Sequence, residues 1–320
     1  MNRVVIEYIS LRRRYIYAFA VIFLLTIVVS VVTIVKGADN EVVLEIRATR
    51  VCSALLVGAM LSLSGVVMQT LLKNPLASPY TLGISNSAAF GAAVGILFLG
   101  GLNFSGVIIL CAFAGTLVGL TLILIISGFK SKGIETIILA GVVINSLFSA
   151  GIAMLQYIAN SSQMASILFW SFGDLNRGEW RGVLLMGVVL LMAAFYFYNK
   201  RWHYKALICG DDYAKSIGVA PKRERLSGLI VASLITAIAV SIFGVIAFVG
   251  LAVPQMVRKF IGNNIAFLLP LSIIFGALFM VVCDIFSRIL FYPIIMPVGI
   301  VTSMVGVPLF ILILYRYYKR

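Results

Sequence analysis

The chain has 320 residues, of which 62% are hydrophobic and 11% charged. Soluble domains carry about 25% charged residues, so no soluble core accommodates this much apolar surface, and the chain reads as a polytopic membrane protein. A net charge of +14 invites a nucleic-acid partner, but where the charges fall argues for membrane topology and no nucleic acid.

Residues 1–14 hold Arg3, Arg12, Arg13 and Arg14 and lead into an apolar run from Tyr15 to Val35. That run is longer than a signal-peptide core, and no small-x-small cleavage site follows it. It is expected to be an uncleaved first span with a cytoplasmic N-terminus. The remaining spans are expected near 51–72, 82–100, 104–129, 137–158, 182–199, 228–248, 250–260, 266–287 and 298–315. The segment 250–260 is too short to cross a hydrocarbon core of about 30 Å and is expected to be a half-helix. Residues 161–173 suit a short re-entrant or surface helix.

Ten spans with both termini inside make a clean pattern of charge. The cytoplasmic segments hold nineteen Lys and Arg against five Asp and Glu, and the outer segments hold six of each. The whole surplus therefore lies on one side, as the positive-inside rule requires. The expected fold is one all-α membrane domain over 1–320. Gly65, Pro75 and Gly83 recur as Gly244, Pro254 and Gly262 at a constant offset of 179. Five spans separate the two sets, which is the sign of an inverted internal repeat.

Taken in order, four constellations stand out. In Glu45–Arg50, EIRATR, Arg47 and Arg50 are three residues apart and share a helix face. Arg288 emerges on the same outer side. Three outward guanidiniums suit carboxylates of a docking partner, and the plainer reading is interfacial snorkelling. Met68–Ser85, MQTLLKNPLASPYTLGIS, breaks two spans with Asn74 and two prolines at the cytoplasmic face, and reads either as a gate or as a tight turn. Asn145, Ser149 and Gln156 form a polar stripe in the fifth span, either lining a path or bonding between helices. The spacings Gly91-xxx-Gly95, Gly115-xxx-Gly119 and Thr302-xxx-Gly306 allow close helix packing, within the chain or between chains.

The largest polar island is 200–226, KRWHYKALICGDDYAKSIGVAPKRERL, whose excess of Lys and Arg places it in the cytoplasm. Asp211 and Asp212 are expected to cap a short helix over 213–217. Gly218 is expected to stop it in a left-handed conformation, and Pro221 to start a second short helix. Such a knob suits a partner's grip, the alternative being a structured loop. No ATPase motif is present: the nearest approach, Gly128–Gly133, is followed by Ile134 where Lys is required. Cys52, Cys111, Cys209 and Cys283 form no metal spacing, and His203 is the only histidine. No acid or histidine falls near mid-membrane, as a proton-coupled carrier would usually need.

The ordered blocks IRATRV (46–51), GAMLSLSGVVMQTLLKNPLASPYTLGIS (58–85), LAGVVINS (139–146), GDDYAKSIGV (210–219), GVIAFVGLAVPQMVR (244–258), CDIFSR (283–288) and MPVGIVTSMVGVPLF (296–310) carry a resemblance over nearly the full chain. The sequence resembles the permeases of iron-siderophore and cobalamin ABC importers, the large-substrate class with ten spans per subunit. The resemblance implies a permease subunit in the plasma (inner) membrane, with no catalytic residues, resident metal or cofactor of its own. ATP and Mg would sit on two partner ATPase subunits. These would grip coupling helices over 204–226, at Asp211, Asp212, Tyr213, Ala214, Ile217, Gly218 and Val219. A second permease, identical or related, would complete a path lined by the fifth and tenth spans, at Asn145, Ser149, Gln156, Thr302 and Ser303. Asn74, Pro75 and Leu76 would form the cytoplasmic gate. An external binding protein, a lipoprotein or a periplasmic protein, would dock on Arg47, Arg50 and Arg288.

The chain departs from the family pattern in places. Arg47-Ala-Thr-Arg50 lacks the family's proline, Gln255 replaces a histidine, and Glu135 stands where small polar residues are usual. The implied cargo is a ferric siderophore. Haem, a cobamide and an ATP-independent secondary transporter are the alternatives, and no residue visibly chooses among the chelates.

Overall fold

The computed structural model describes residues 3–35, 41–99, 105–128 and 134–318. Lys36, Asp39, Lys130, Lys132, Lys319, Arg320 and the side chains of Arg3, Arg12, Arg14 and Arg316, all counted in the charge pattern, lie outside what is described. Among the described residues the chain is helical, with no strand. The helices are α1 (Arg3–Val35), α2 (Glu41–Leu71), α3 (Ile84–Phe98), α4 (Ser105–Gly128), α5 (Ile134–Ile158), α6 (Ser161–Ser171), α7 (Trp180–Asn199), α8 (Arg201–Cys209), α9 (Asp211–Ser216), α10 (Pro221–Phe243), α11 (Val249–Ile261), α12 (Ile265–Ile289) and α13 (Val298–Tyr318). A single 3-10 turn, Leu175–Arg177, precedes α7.

Seven of these, α1, α2, α4, α5, α7, α10 and α12, are long and apolar enough to cross a bilayer. Three more match expected spans but have shorter apolar stretches. They are α3 with 15 residues, α11 with 13 and the Val298–Leu312 part of α13. At 1.5 Å per residue, α11 is about 20 Å long, which agrees with a half-helix.

Helix α2 is the axis of the bundle. It packs against α12, α10, α11 and α7, and its lower three quarters are almost entirely buried. Small residues let it do so. A Cβ on Gly65 would stand 1.9 Å from the Gly250 carbonyl oxygen, and one on Gly58 would stand 2.2 Å from that of Gly276. Its hydroxyls then bond across the seams. Ser62 donates to the Ser272 carbonyl at 2.7 Å, and Ser64 to that of Ala232 at 2.8 Å. With no water in the hydrocarbon layer, such donors need protein acceptors. The Gly91 and Gly115 spacings serve the α3–α4 crossing, where a Cβ on Gly91 would meet the Cys111 carbonyl at 2.1 Å. They are contacts within the chain.

Several expectations need correcting. Helix α2 starts at Glu41, ten residues before the expected span, so Arg47 and Arg50 sit within its first turns. Helix α8 was not anticipated. Pro221 does start a helix, but that helix is α10, which runs on for 23 residues. It ends at Phe243, before the expected 248, where Gly244 takes φ 82° and Phe248 φ 67°.

The residues matched at the offset of 179 do not occupy matching positions in the fold. Gly65 is mid-helix while Gly244 follows a helix end. Pro75 lies in a turn while Pro254 is inside α11, and Gly83 precedes a helix while Gly262 follows one.

Candidate functional site

Polar side chains gather at the two ends of the bundle. At one end are Gln69, Lys73, Asp211, Arg225 and Arg258; at the other are Arg50, Asn176, Asp284 and Arg288. Within each grouping the charged residues are ones that the charge count placed together.

At the basic end, α9 is tied down by its first residue. Arg225 donates two bonds to the Asp211 carboxylate, at 2.7 and 2.5 Å, and Lys73 adds a third at 3.5 Å. Arg225 Nε also donates to the Leu71 carbonyl at 3.2 Å, so α9, α10 and the end of α2 form one unit. Asp211 is therefore an anchor and not a helix cap. The residue before α9 is Gly210, and neither aspartate caps the helix with its side chain. Both still lie in the first turn, where carboxylates suit the helix dipole. The hydrogen bonds from Arg225 hold the Asp211 carboxyl below its usual range.

The far end of α9 behaves as the sequence suggests. Gly218 has φ 82°, Val219 N–H bonds the Ala214 carbonyl at 2.9 Å and Gly218 N–H that of Lys215 at 3.0 Å. This is a Schellman stop. Ala214 is buried beneath the helix, while Tyr213 and Ile217 are each 53% exposed. Asp212 is fully exposed apart from a contact with Lys215.

The turn after α2 is braced from α11. Gln69 Oε1 accepts from Gln255 at 2.8 Å and from Arg258 at 2.5 Å. Gln255 also donates to the Pro75 carbonyl at 3.1 Å. Asn74 closes its own turn by accepting from Leu76 N–H at 2.9 Å, which leaves the Leu76 side chain exposed. Gln69 was not singled out from the sequence, although a lone amide inside an apolar span is a readable signal. Gln255, a departure from the family pattern, is the residue that reaches the turn.

At the other end, the three arginines do not act alike. Arg50 is 5% exposed. Its Nε donates to Asp284 at 2.7 Å, its other nitrogens to Asn176 and to Ser287. Asp284, fully buried, also accepts from Arg288. Only Arg47 and Arg288 are partly exposed, so three outward guanidiniums become two, set on an internal ion cluster.

The polar stripe of α5 faces α3. Asn86 Nδ2 donates to Asn145 Oδ1 and to Ser149 Oγ, both at 2.9 Å, while Gln156 is half-buried farther along. Apolar residues of α5, among them Leu139, Val143, Leu147 and Tyr157, stay exposed. Thr302 is fully buried and bonds the Gly299 carbonyl at 3.0 Å. Ser303, half-buried, bonds the same carbonyl at 2.9 Å.

The profile of the FecCD transport family matches residues 13–316. A Methanocaldococcus jannaschii protein, provisionally named an ABC transporter permease, is 42% identical over 295 residues, covering 89% of this chain and 84% of its own. The hemin transport system permease protein HmuU of Yersinia pestis is 34% identical over 278 residues, covering 85% and 83%. A solved structure, described as an inward-facing conformation of a provisionally assigned metal-chelate type ABC transporter, superimposes with a TM-score of 0.85. It is 29% identical and covers 94% of this chain and 99% of that one.

Proposed function

The chain belongs to the FecCD transport family, and from that premise we propose that it carries a ferric siderophore, or a similarly bulky chelate, from an external binding protein into the cytoplasm. ATP hydrolysis falls to two partner subunits, which hold ATP and Mg. The observation that carries this reading is α9. A short helix pinned by Asp211, Arg225 and Lys73 presents Tyr213 and Ile217 to water at the basic end. Exposed apolar side chains on a rigid mount, rimmed by charge, suit burial against a partner protein.

The other roles follow from placement. Asn74, Pro75 and Leu76 form a gate whose position is set by Gln69, Gln255 and Arg258. Arg47 and Arg288 receive the binding protein's carboxylates, and Arg50 holds Asp284 beneath them. A second permease, identical or related, covers the open face of α5 and shares the path. Asn145 and Ser149 contribute to that path through Asn86, and Thr302 supports it from within. Haem is the second reading of the cargo, favoured by the 34% identity to a hemin permease.

The cargo is tested in proteoliposomes holding the complete transporter and its binding protein. Radiolabelled ferric siderophore is expected to accumulate with ATP, and excess hemin or cobamide to leave its uptake unchanged. Uptake of hemin alone, with none of the siderophore, would overturn the ferric-siderophore reading.

A further inference from the structure

A second recess at the basic end touches the expected coupling stretch only at Lys205 and includes none of the contact residues named for it. A cavity of about 380 Å³ opens between the end of α7, helix α8 and the first turn of α12, bordered by Tyr198, Arg201, Trp202, Lys205, Asn264 and Phe267. Arg201 and Lys205 are four residues apart on α8 and stand on one face. Among the described residues neither forms an ion pair with a carboxylate. Aromatic rings brace them instead. The Arg201 guanidinium lies 4.0 Å over Tyr198 and donates to its carbonyl at 2.7 Å. The Lys205 ammonium lies 5.4 Å from the Trp202 ring. Opposite them is the N-terminus of the 25-residue α12, whose cap Asn264 accepts from Ala266 N–H at 3.2 Å. A helix start and two uncompensated cations around one cavity make a site for an anion.

The surroundings say which anion. Leu184, Val188, Leu191, Phe195, Tyr198 and Trp202 are all exposed. The first five recur every three or four residues, so they form one apolar stripe along α7 that ends at the cavity, and Trp202 follows it on α8. The stripe closes on a tyrosine and a tryptophan, the residues that settle at headgroup level. Trp202, next to the two cations, is 62% exposed. A hydrocarbon-facing stripe, an aromatic belt and an anion site therefore follow one another in the order that a lipid's acyl chain, glycerol and phosphate do.

We infer that the α7–α8–α12 recess binds an anionic phospholipid of the cytoplasmic leaflet, with its phosphate between Arg201 and Lys205 and its acyl chains along α7. A zwitterionic headgroup would bring its own cation beside two unneutralised ones. Free phosphate would leave the stripe unused. Basic residues near such a surface contribute roughly fivefold in affinity each.

The test is titration of the purified permease in neutral detergent, followed by native mass spectrometry. The probes are phosphatidylglycerol, phosphatidylcholine of the same chain length and inorganic phosphate. Phosphatidylglycerol is expected to bind saturably, phosphatidylcholine at least about fivefold more weakly, and phosphate alone not measurably. Arg201→Gln with Lys205→Gln is expected to cost roughly 25-fold in phosphatidylglycerol affinity, with phosphatidylcholine unchanged. Lys215→Gln, on α9, is expected to change neither. Should the double variant fold poorly, Lys205→Gln alone is expected to cost about fivefold. Wild-type affinity in the folded variant, or equal binding of the two lipids, would overturn the site. Phosphate binding as tightly as phosphatidylglycerol would make it a free-anion site and overturn the lipid.

Discussion

Arg50 and Asp284 lie 234 positions apart and make the most buried ion pair described, at 2.7 Å. Two arginines share this one carboxylate, with Asn176 and Ser287 completing the set. Removing one partner of a buried pair strands the other's charge, at a cost of about 3–5 kcal/mol. Asp284→Ala is therefore expected to lower the thermal unfolding midpoint in detergent sharply. Arg47→Glu, at the partly exposed rim, is expected to shift stability by only about 0.5 kcal/mol while weakening capture of the binding protein in a pull-down. Equal effects of the two substitutions on unfolding would contradict the division between an internal and an outward arginine. The sequence displayed both arginines, and the structure places them near the start of one helix, as their spacing on a shared face required. It could not display their difference, because Arg50 takes its partners from two distant segments.

At the scale of elements, α9 shows the same limit from the other side. Its stop at Gly218 was legible, because a left-handed residue after a helix is a local requirement. Its start was misread, because Arg225, fourteen residues on, draws Asp211 away from capping. Helix α8 was missed because its polar and apolar residues are interleaved over only nine positions. A Cβ on Gly218 meets nothing within 4 Å, so Gly218→Val acts through the backbone alone, at about 1–2 kcal/mol. It is expected to reduce co-purification of the ATPase without lowering the yield of permease; undiminished co-purification would count against α9 as the grip. Because the Asp211 carboxyl is held low by Arg225, its contribution persists above the ordinary carboxylate range near pH 4 and fades only as pH falls through the lowered value. Co-purification is thus expected to be equal at neutral and mildly acidic pH. Helix α2 gives a sharper contrast. Gly65→Val drives a side chain into the Gly250 backbone, whereas at Gly187 a Cβ meets open space. The first is expected to abolish a monodisperse product in size-exclusion chromatography, and Gly187→Val to leave it intact.

Across the whole molecule, the sequence was most informative where the bilayer itself imposes the rule. Apolar length placed the seven long helices and anticipated that α11 would be short. Charge sorted residues into two groups, and among the described residues distant members of one group meet in the folded chain, Lys73 with Asp211 and Arg50 with Asp284. Seams between helices were legible only as small-residue spacings. Which glycine meets which helix is a tertiary matter, as the pairing of Gly65 with Gly250 shows. The anchored α9 supports the central proposal, that transport through this chain is driven by a partner that hydrolyses ATP. Uptake of a ferric chelate into proteoliposomes, with the ATPase and binding protein present, tests it most directly. The account predicts accumulation that requires ATP and survives an uncoupler. Accumulation without the ATPase, abolished by the uncoupler, would contradict it.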